Sequence, residues 1–170
     1  MSDFSVSLWE ATMDALNLPV FDVRTRSRGD QKQEIWDLVR RKFIALTPEE
    51  WVRQHFLNFL IHHRGYPASL IRVEASLVYN RLKKRSDIVT YDKRGKPLLL
   101  VECKAPQVAI TQEVFNQVAL YNSTFTGKYL VVSNGLEHYC SCIDHAKKTW
   151  KFLRDIPHYS DICDSKDDHS

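Results

Sequence analysis

The run from Arg85 to Lys104 restricts the folding choices of this chain more than any other stretch. It reads as two apolar strands joined by one polar turn, with charged residues at both outer ends. Ile88-Val89-Thr90-Tyr91 and Pro97-Leu98-Leu99-Leu100-Val101 are short and aliphatic or β-branched, and Asp92-Lys93-Arg94-Gly95-Lys96 has the composition of a hairpin loop. Arg85-Ser86-Asp87 opens the first strand and Glu102-Cys103-Lys104 closes the second. Ionised groups in an apolar sheet are costly unless they are paired or bound to a metal, and a divalent cation between the carboxylates is the simplest arrangement. Side chains alternate along a strand, so Glu102 and Lys104 share one face while Cys103 joins Val101 and Leu99 on the other. Asp87 falls directly opposite Glu102 if Asp92 pairs with Pro97 across a loop from Lys93 to Lys96. A slip of one residue would turn it to the wrong face.

A chain of 170 residues supports one domain with a proper core and short terminal extensions. No apolar segment approaches the ~20 residues needed to cross a bilayer, and the amino terminus lacks a basic-then-apolar secretory pattern. The expectation is a cytoplasmic protein with no membrane partner. Cys103, Cys140, Cys142 and Cys163 are too few and too irregularly spaced for a disulfide framework, and free thiols are expected. With His138 and His145 they match no standard zinc spacing, so they read as core residues. A formal net charge of +3 says little about partners, which throws weight onto local clusters. Arg24, Arg26 and Arg28 form one, and Arg40, Arg41 and Lys42 a second; both read as solvated faces. Arg81, Lys83, Lys84 and Arg85 run directly into Asp87, where a phosphate backbone would lie beside a metal.

Residues 1–33 read as a partly ordered arm, 34–160 as the domain and 161–170 as a disordered polar tail. Within 34–43, Glu34-Ile35-Trp36 fits a strand, while Leu38, Val39 and Phe43 also fit helical spacing. Thr47-Pro48-Glu49-Glu50 marks a helix start, with Thr47 as N-cap, Pro48 at the first position and Glu50 completing a capping box. That helix should run to about His63 with Val52, Phe56, Phe59 and Leu60 on its apolar face. The same wheel puts Glu49 near that face and Glu50 well off it. Glu49 then needs a partner, either Arg53 four residues on or a metal site. Leu70 to Leu77 reads as a first strand, followed by a basic loop and the hairpin. Thr111 caps a second helix through about Asn122, on which Val114, Val118 and Tyr121 share a face with Gln117 among them. Lys128 to Ser133 is a buried strand, parallel to the hairpin because a helical crossover precedes it, and His138 to Ile143 is an additional strand.

This order resembles the PD-(D/E)xK nuclease superfamily and, more narrowly, the amino-terminal nuclease domain of type I restriction endonuclease R subunits. The residues that carry the resemblance are Leu46 to Gln54, Arg85-Ser86-Asp87-Ile88-Val89, Val101-Glu102-Cys103-Lys104-Ala105-Pro106, Gln117 to Asn122, and Ser133-Asn134-Gly135. It implies an α/β, restriction-endonuclease-like core in the order helix, three antiparallel strands, helix, parallel strand, with an additional C-terminal strand and an N-terminal extension. It also implies a Mg2+- or Mn2+-dependent DNA endonuclease of restriction-modification or repair type. Asp87 and Glu102 would hold the metal with the backbone carbonyl of Cys103, Lys104 would orient or activate water, and Gln117 and Tyr121 would position phosphate or water. Glu49 would touch the site through the metal's water shell, with Glu74 as its rival for that place. The implied partners are DNA, other restriction-modification or repair subunits, and a second copy of the chain. R subunits carry a helicase motor after this domain, and no Gly-rich phosphate loop is present here, so translocation is not expected of this chain. The competing expectation is a non-cleaving nucleic-acid-binding or assembly subunit that keeps the fold.

Overall fold

The computed structural model describes residues 13, 15–29, 32–79, 82–121 and 124–163. Strands β1 (Thr25–Arg28), β2 (Lys32–Asp37) and β3 (Lys42–Ala45) form an antiparallel three-stranded sheet. Helix α1 (Pro48–His63) follows, and then β4 (Ile71–Tyr79), β5 (Leu82–Tyr91) and β6 (Pro97–Cys103). Helix α2 (Gln112–Tyr121) crosses over to β7 (Tyr129–Ser133), and β8 (His138–Asp144), β9 (Thr149–Leu153) and the single turn α3 (Tyr159–Ile162) complete the fold. Strands β4 to β9 make one six-stranded sheet in sequence order, antiparallel except for the β6–β7 pair. The fold is therefore α/β, with α1 on one sheet face against Ile88, Leu99, Val101 and Val131. Helix α2 packs on the other through Phe115 and Val118, against Val89, Leu100, Leu130 and Val132.

The amino-terminal half departs from expectation. Residues 34–43 are strands, and β1 pairs with β2 from Thr25↔Ile35 to Arg28↔Lys32, so an arm ending at 33 would cut through this hairpin. Aromatic faces draw in the basic side chains there: Arg24 lies over Trp36 at 4.8 Å and Arg26 over Phe43 at 4.1 Å. The sheet and the segment before it close the outer side of α1, with Phe21 edge-on to His55 at 4.9 Å and the Leu38 amide donating to Gln54 Oε1 at 3.1 Å. Helix α1 is consequently buried around most of its circumference, Glu50 through Asn58 without a gap. A single apolar stripe could not foretell that, because the second covering layer packs on polar residues.

Thr47 Oγ1 accepts the Glu50 amide at 3.0 Å, as the capping pattern predicts, but the Glu50 carboxylate turns to Arg53 and Gln54. The order of the two glutamates is reversed: Glu50 is buried and Glu49 is half exposed. The basic run belongs to β5 rather than a loop, with Lys83, Lys84 and Arg85 paired to Val78, Leu77 and Ser76. At the carboxyl end β9 is an addition to the expected strands. Tyr159 and Ile162 sit in the core, so order persists past 161; residues 164–170 lie outside the description. Among the described residues, no helix is long and apolar enough to cross a membrane.

Candidate active site

The hairpin sets the site's register. Ile88 pairs with Val101, Val89 with Leu100 and Thr90 with Leu99, and one step further along this register Asp87 lies across from Glu102. The route differs from the expected one. Tyr91, not Asp92, pairs with Pro97, and a bulge at Thr90/Tyr91 takes up the extra residue before the ladder reaches the site. Asp92 instead closes the turn, its Oδ1 accepting the amides of Arg94 and Lys96 at 2.8 Å each. Leu99, Val101 and Cys103 face α1, whereas Leu100 faces α2; this alternation puts Glu102 on the Leu100 face.

Both oxygens of Asp87 are engaged. Oδ2 accepts the Cys103 amide at 2.7 Å, and Oδ1 accepts from Arg53 Nη2 at 2.6 Å. Arg53 reaches this point from the second turn of α1 and is 4 % exposed. Its guanidinium also pairs with Glu50, with Glu49 at 3.4 Å and with Glu74 at 3.5 Å. Burial works against its charge, but Asp87 and Glu50 outweigh that and hold Arg53 above its usual range. Arg40, from the β2–β3 turn, joins the same cluster through Asp37 at 2.6 Å, Glu74 at 2.5 Å and Glu50 at 3.7 Å.

Glu102 is placed differently. Lys104 Nζ stands 3.3 Å from its Oε1, while its Oε2 is buried with no hydrogen-bond partner. Burial first, and the neighbouring Asp87 second, push its carboxyl up to about 7, with Lys104 pulling the other way. Glu49 is raised as well, by burial and then by Asp87. Six carboxylates, Asp37, Glu49, Glu50, Glu74, Asp87 and Glu102, thus meet three cations, Arg40, Arg53 and Lys104, among the described residues.

Among the described residues no group of three or more His, Cys, Asp or Glu side chains is set to hold a metal ion. Mg2+ needs less than that, since it takes one or two carboxylates and keeps several waters. The orphaned Glu102 Oε2, next to Asp87 in a cluster with surplus negative charge, fits a hard dication on chemical grounds. Cys103 buries its thiol in the α1 face and offers backbone toward Asp87.

The structure brings Asp87, Glu102, Lys104 and Glu49 together, and it also includes Glu74, which is committed to Arg40 and Arg53. Gln117 is exposed rather than packed, because Phe115 and Val118 form the buried stripe of α2. No hydrogen bond among the described residues ties Gln117 to the acidic cluster. Arg81 lies outside the described residues, as do the side chains of Lys83, Lys84, Arg85 and Tyr121. The residue that sequence reasoning undervalued is Arg53, read only as a partner for Glu49. Its spacing from Glu49 and Glu50, at i,i+4 and i,i+3, was the available signal. A groove of about 1140 Å3 lies at the other end of the sheet, lined by Pro97, Leu98, Lys128 and Cys142, and shares no residue with this cluster.

Residues 48–157 match the type I restriction enzyme R protein N terminus, HSDR_N. The chain belongs to that family. No curated protein sequence matches it. Among solved structures it is similar to a fragment of a chain assigned as an HsdR subunit of a type I restriction enzyme from Vibrio vulnificus YJ016. That similarity has 19 % identity and a TM-score of 0.49, and covers 66 % of this chain and 24 % of the other. This HSDR_N chain thus corresponds to about a quarter of that chain's length.

Proposed function

We propose that this HSDR_N domain is a metal-dependent DNA endonuclease module of the restriction-modification type, with a restriction-endonuclease-like PD-(D/E)xK core. The observation that carries the reading is the Glu102 carboxylate: one oxygen pairs with Lys104, the other is buried and orphaned, and Asp87 lies beside it. Glu102 and Asp87 would hold Mg2+ or Mn2+, and the Cys103 carbonyl is available on the strand edge whose N–H faces Asp87. Bound there, the cation supplies Lewis-acid polarisation of a phosphoryl oxygen and a more acidic water.

The protein's own groups do the rest. Arg53 and the Cys103 amide fix the Asp87 carboxylate from both sides, so its orientation does not depend on the ligand. The Lys104 ammonium, part exposed, can donate a hydrogen bond to the attacking water or to a non-bridging phosphate oxygen and offset charge as it accumulates on phosphorus. Glu49, half exposed at the rim, can accept a hydrogen bond from a metal-bound water. The basic run Arg81, Lys83, Lys84 and Arg85 precedes Asp87 in the chain and suits a phosphate backbone approaching along β5.

The test is nicking of supercoiled plasmid with Mg2+ or Mn2+ by the wild type, Glu102→Ala and Lys104→Ala. Cleavage by the wild type that drops at least ~100-fold in both variants is expected, the scale of losing a main electrostatic contributor to the transition state. A wild type that leaves the plasmid intact, or variants that cut equally well, would defeat the hydrolase reading. DNA retention without cleavage would move the domain to the binding or assembly class.

A further inference from the structure

We propose that Arg40 is a positioning residue for this site, acting on Asp87 through Glu74 and Arg53; the inference rests on the hydrolase reading above. Arg40 lies in the β2–β3 turn, outside the 48–157 segment that matches the family. Its direction is set at the root. Asp37 is fully buried, its Oδ1 accepts the amides of Val39 at 2.9 Å and Arg40 at 2.6 Å, and its Oδ2 accepts from Arg40 Nε at 2.6 Å. Held this way, the guanidinium presents Nη1 to Glu74 Oε2 at 2.5 Å. The other oxygen of Glu74 stands 3.5 Å from Arg53 Nη1, and Arg53 Nη2 holds Asp87 at 2.6 Å. The chain of contacts ends at the Cys103 amide on β6, 2.7 Å from Asp87 Oδ2.

Arg53 is contested by four carboxylates, and Arg40 decides the contest. By taking the near oxygen of Glu74, it leaves that carboxylate only a long contact with Arg53, so that Arg53 keeps Nη2 for Asp87. Without Arg40, Glu74 loses its shorter partner and closes on the one buried cation within reach. Asp87 and its hold on the Cys103 amide weaken as a result. The meander thus contributes to a site whose ligands all come from the larger sheet.

Amide hydrogen exchange of Cys103, followed by NMR without metal, and Mn2+ affinity by calorimetry test this on the full chain. Arg40→Met is expected to speed Cys103 exchange about tenfold, leave Leu99 to Val101 unchanged, and weaken Mn2+ about tenfold, within the span seen when a residue supporting a metal ligand is lost. Arg40→Lys should restore only part of both, because an ammonium cannot grip Asp37 and Glu74 in a fixed fork. Arg40→Met combined with Glu74→Gln removes the competitor and should return Cys103 exchange to the wild-type rate; this pair decides the matter if Arg40→Met alone fails to fold. Unchanged Cys103 exchange in folded Arg40→Met, or no recovery in the double variant, overturns the proposal. A wild type that does not bind Mn2+ overturns the hydrolase reading instead, while the exchange data still report whether Arg40 sets Asp87.

Discussion

Glu74 and Asp87 occupy a rung missing from the β4–β5 ladder: Val73 pairs with Ile88 and Ala75 with Ser86, and between them the backbone of Glu74 turns left-handed, with φ of +51°. A regular rung would set two carboxylates side by side, and like charges directly opposite are destabilising. The break sends Glu74 toward Arg40 and Arg53 and leaves Asp87 to Arg53 and the Cys103 amide. A non-glycine residue in this region carries roughly 1–2 kcal/mol of strain. Glu74→Ala and Glu74→Gly lose the same ion pairs, yet only the second relieves the backbone. The glycine variant is therefore expected to be more stable than the alanine variant by about 1 kcal/mol in urea unfolding. Equal stabilities would show that the alanine chain relaxes into a regular rung.

Arg53 holds buried charge on both sides of itself, so removing it differs from removing a surface arginine. Arg53→Met leaves Glu50 and Asp87 without their cation in a low-dielectric setting, a change worth about 3–5 kcal/mol at neutral pH. Burial raises both Glu49 and Glu50, so these groups take up protons before ordinary carboxylates as pH falls. The penalty should accordingly shrink in mildly acidic buffer. Chemical denaturation at pH 5 and pH 7.5 measures this, and a penalty that grows toward acid would contradict the assignment of Arg53 as the shared counter-ion.

What could be read from the residues and what could not divides along physical lines. The strand alternation of Val101, Glu102, Cys103 and Lys104 and the Thr47 cap are local rules, and both are met in the structure. The Asp87–Glu102 register was reached through an assumed turn that does not form; the bulge after Thr90 compensates. Bulges depend on strand twist and the fit of Pro97, which hydrophobic patterning does not encode. The burial of Glu50 and Arg53 was invisible because the covering layer, β1 to β3, comes from elsewhere in the chain and packs on polar groups. Gln117 was misplaced because Phe115, not Val114, leads the packed stripe of α2.

Gly135 ends β7 where the leading segment docks, and its carbonyl accepts the Asn17 amide at 2.8 Å. Its φ of +84° favours glycine, and a Cβ there would meet Leu16 Cδ2 at 2.8 Å and Val52 Cγ2 at 3.1 Å. Gly135→Ala should cost about 1–3 kcal/mol from backbone strain and crowding together. Combining it with Leu16→Ala should recover part of the loss by relieving the contact, while the backbone strain stays. Full recovery would mean that φ contributes nothing.

Glu102 gives the site a pH signature that can be read without any catalytic assay. Its carboxyl is raised from 4.5 to about 7, so the folded chain binds a proton more tightly there than the unfolded chain does. Below pH 4.5 both states are protonated and the group is neutral in the balance. Between 4.5 and 7 the unfolded state has released the proton while the folded state keeps it, so stability falls as pH rises; above 7 the loss is complete and constant. A shift of this size corresponds to roughly 2–3 kcal/mol. Glu102→Gln cannot titrate, so the stability gap between variant and wild type should move in the variant's favour by that amount from pH 4.5 to pH 8, with Glu49 and Glu50 common to both proteins. Metal reverses the sign for the wild type alone, because a cation at Asp87 and Glu102 favours the ionised form. Millimolar Mn2+ should therefore stabilise the wild type more at pH 8 than at pH 5.5 and leave Glu102→Gln nearly unmoved, as measured by thermal melting in paired buffers. Equal Mn2+ shifts in the two proteins would place the ion away from Glu102.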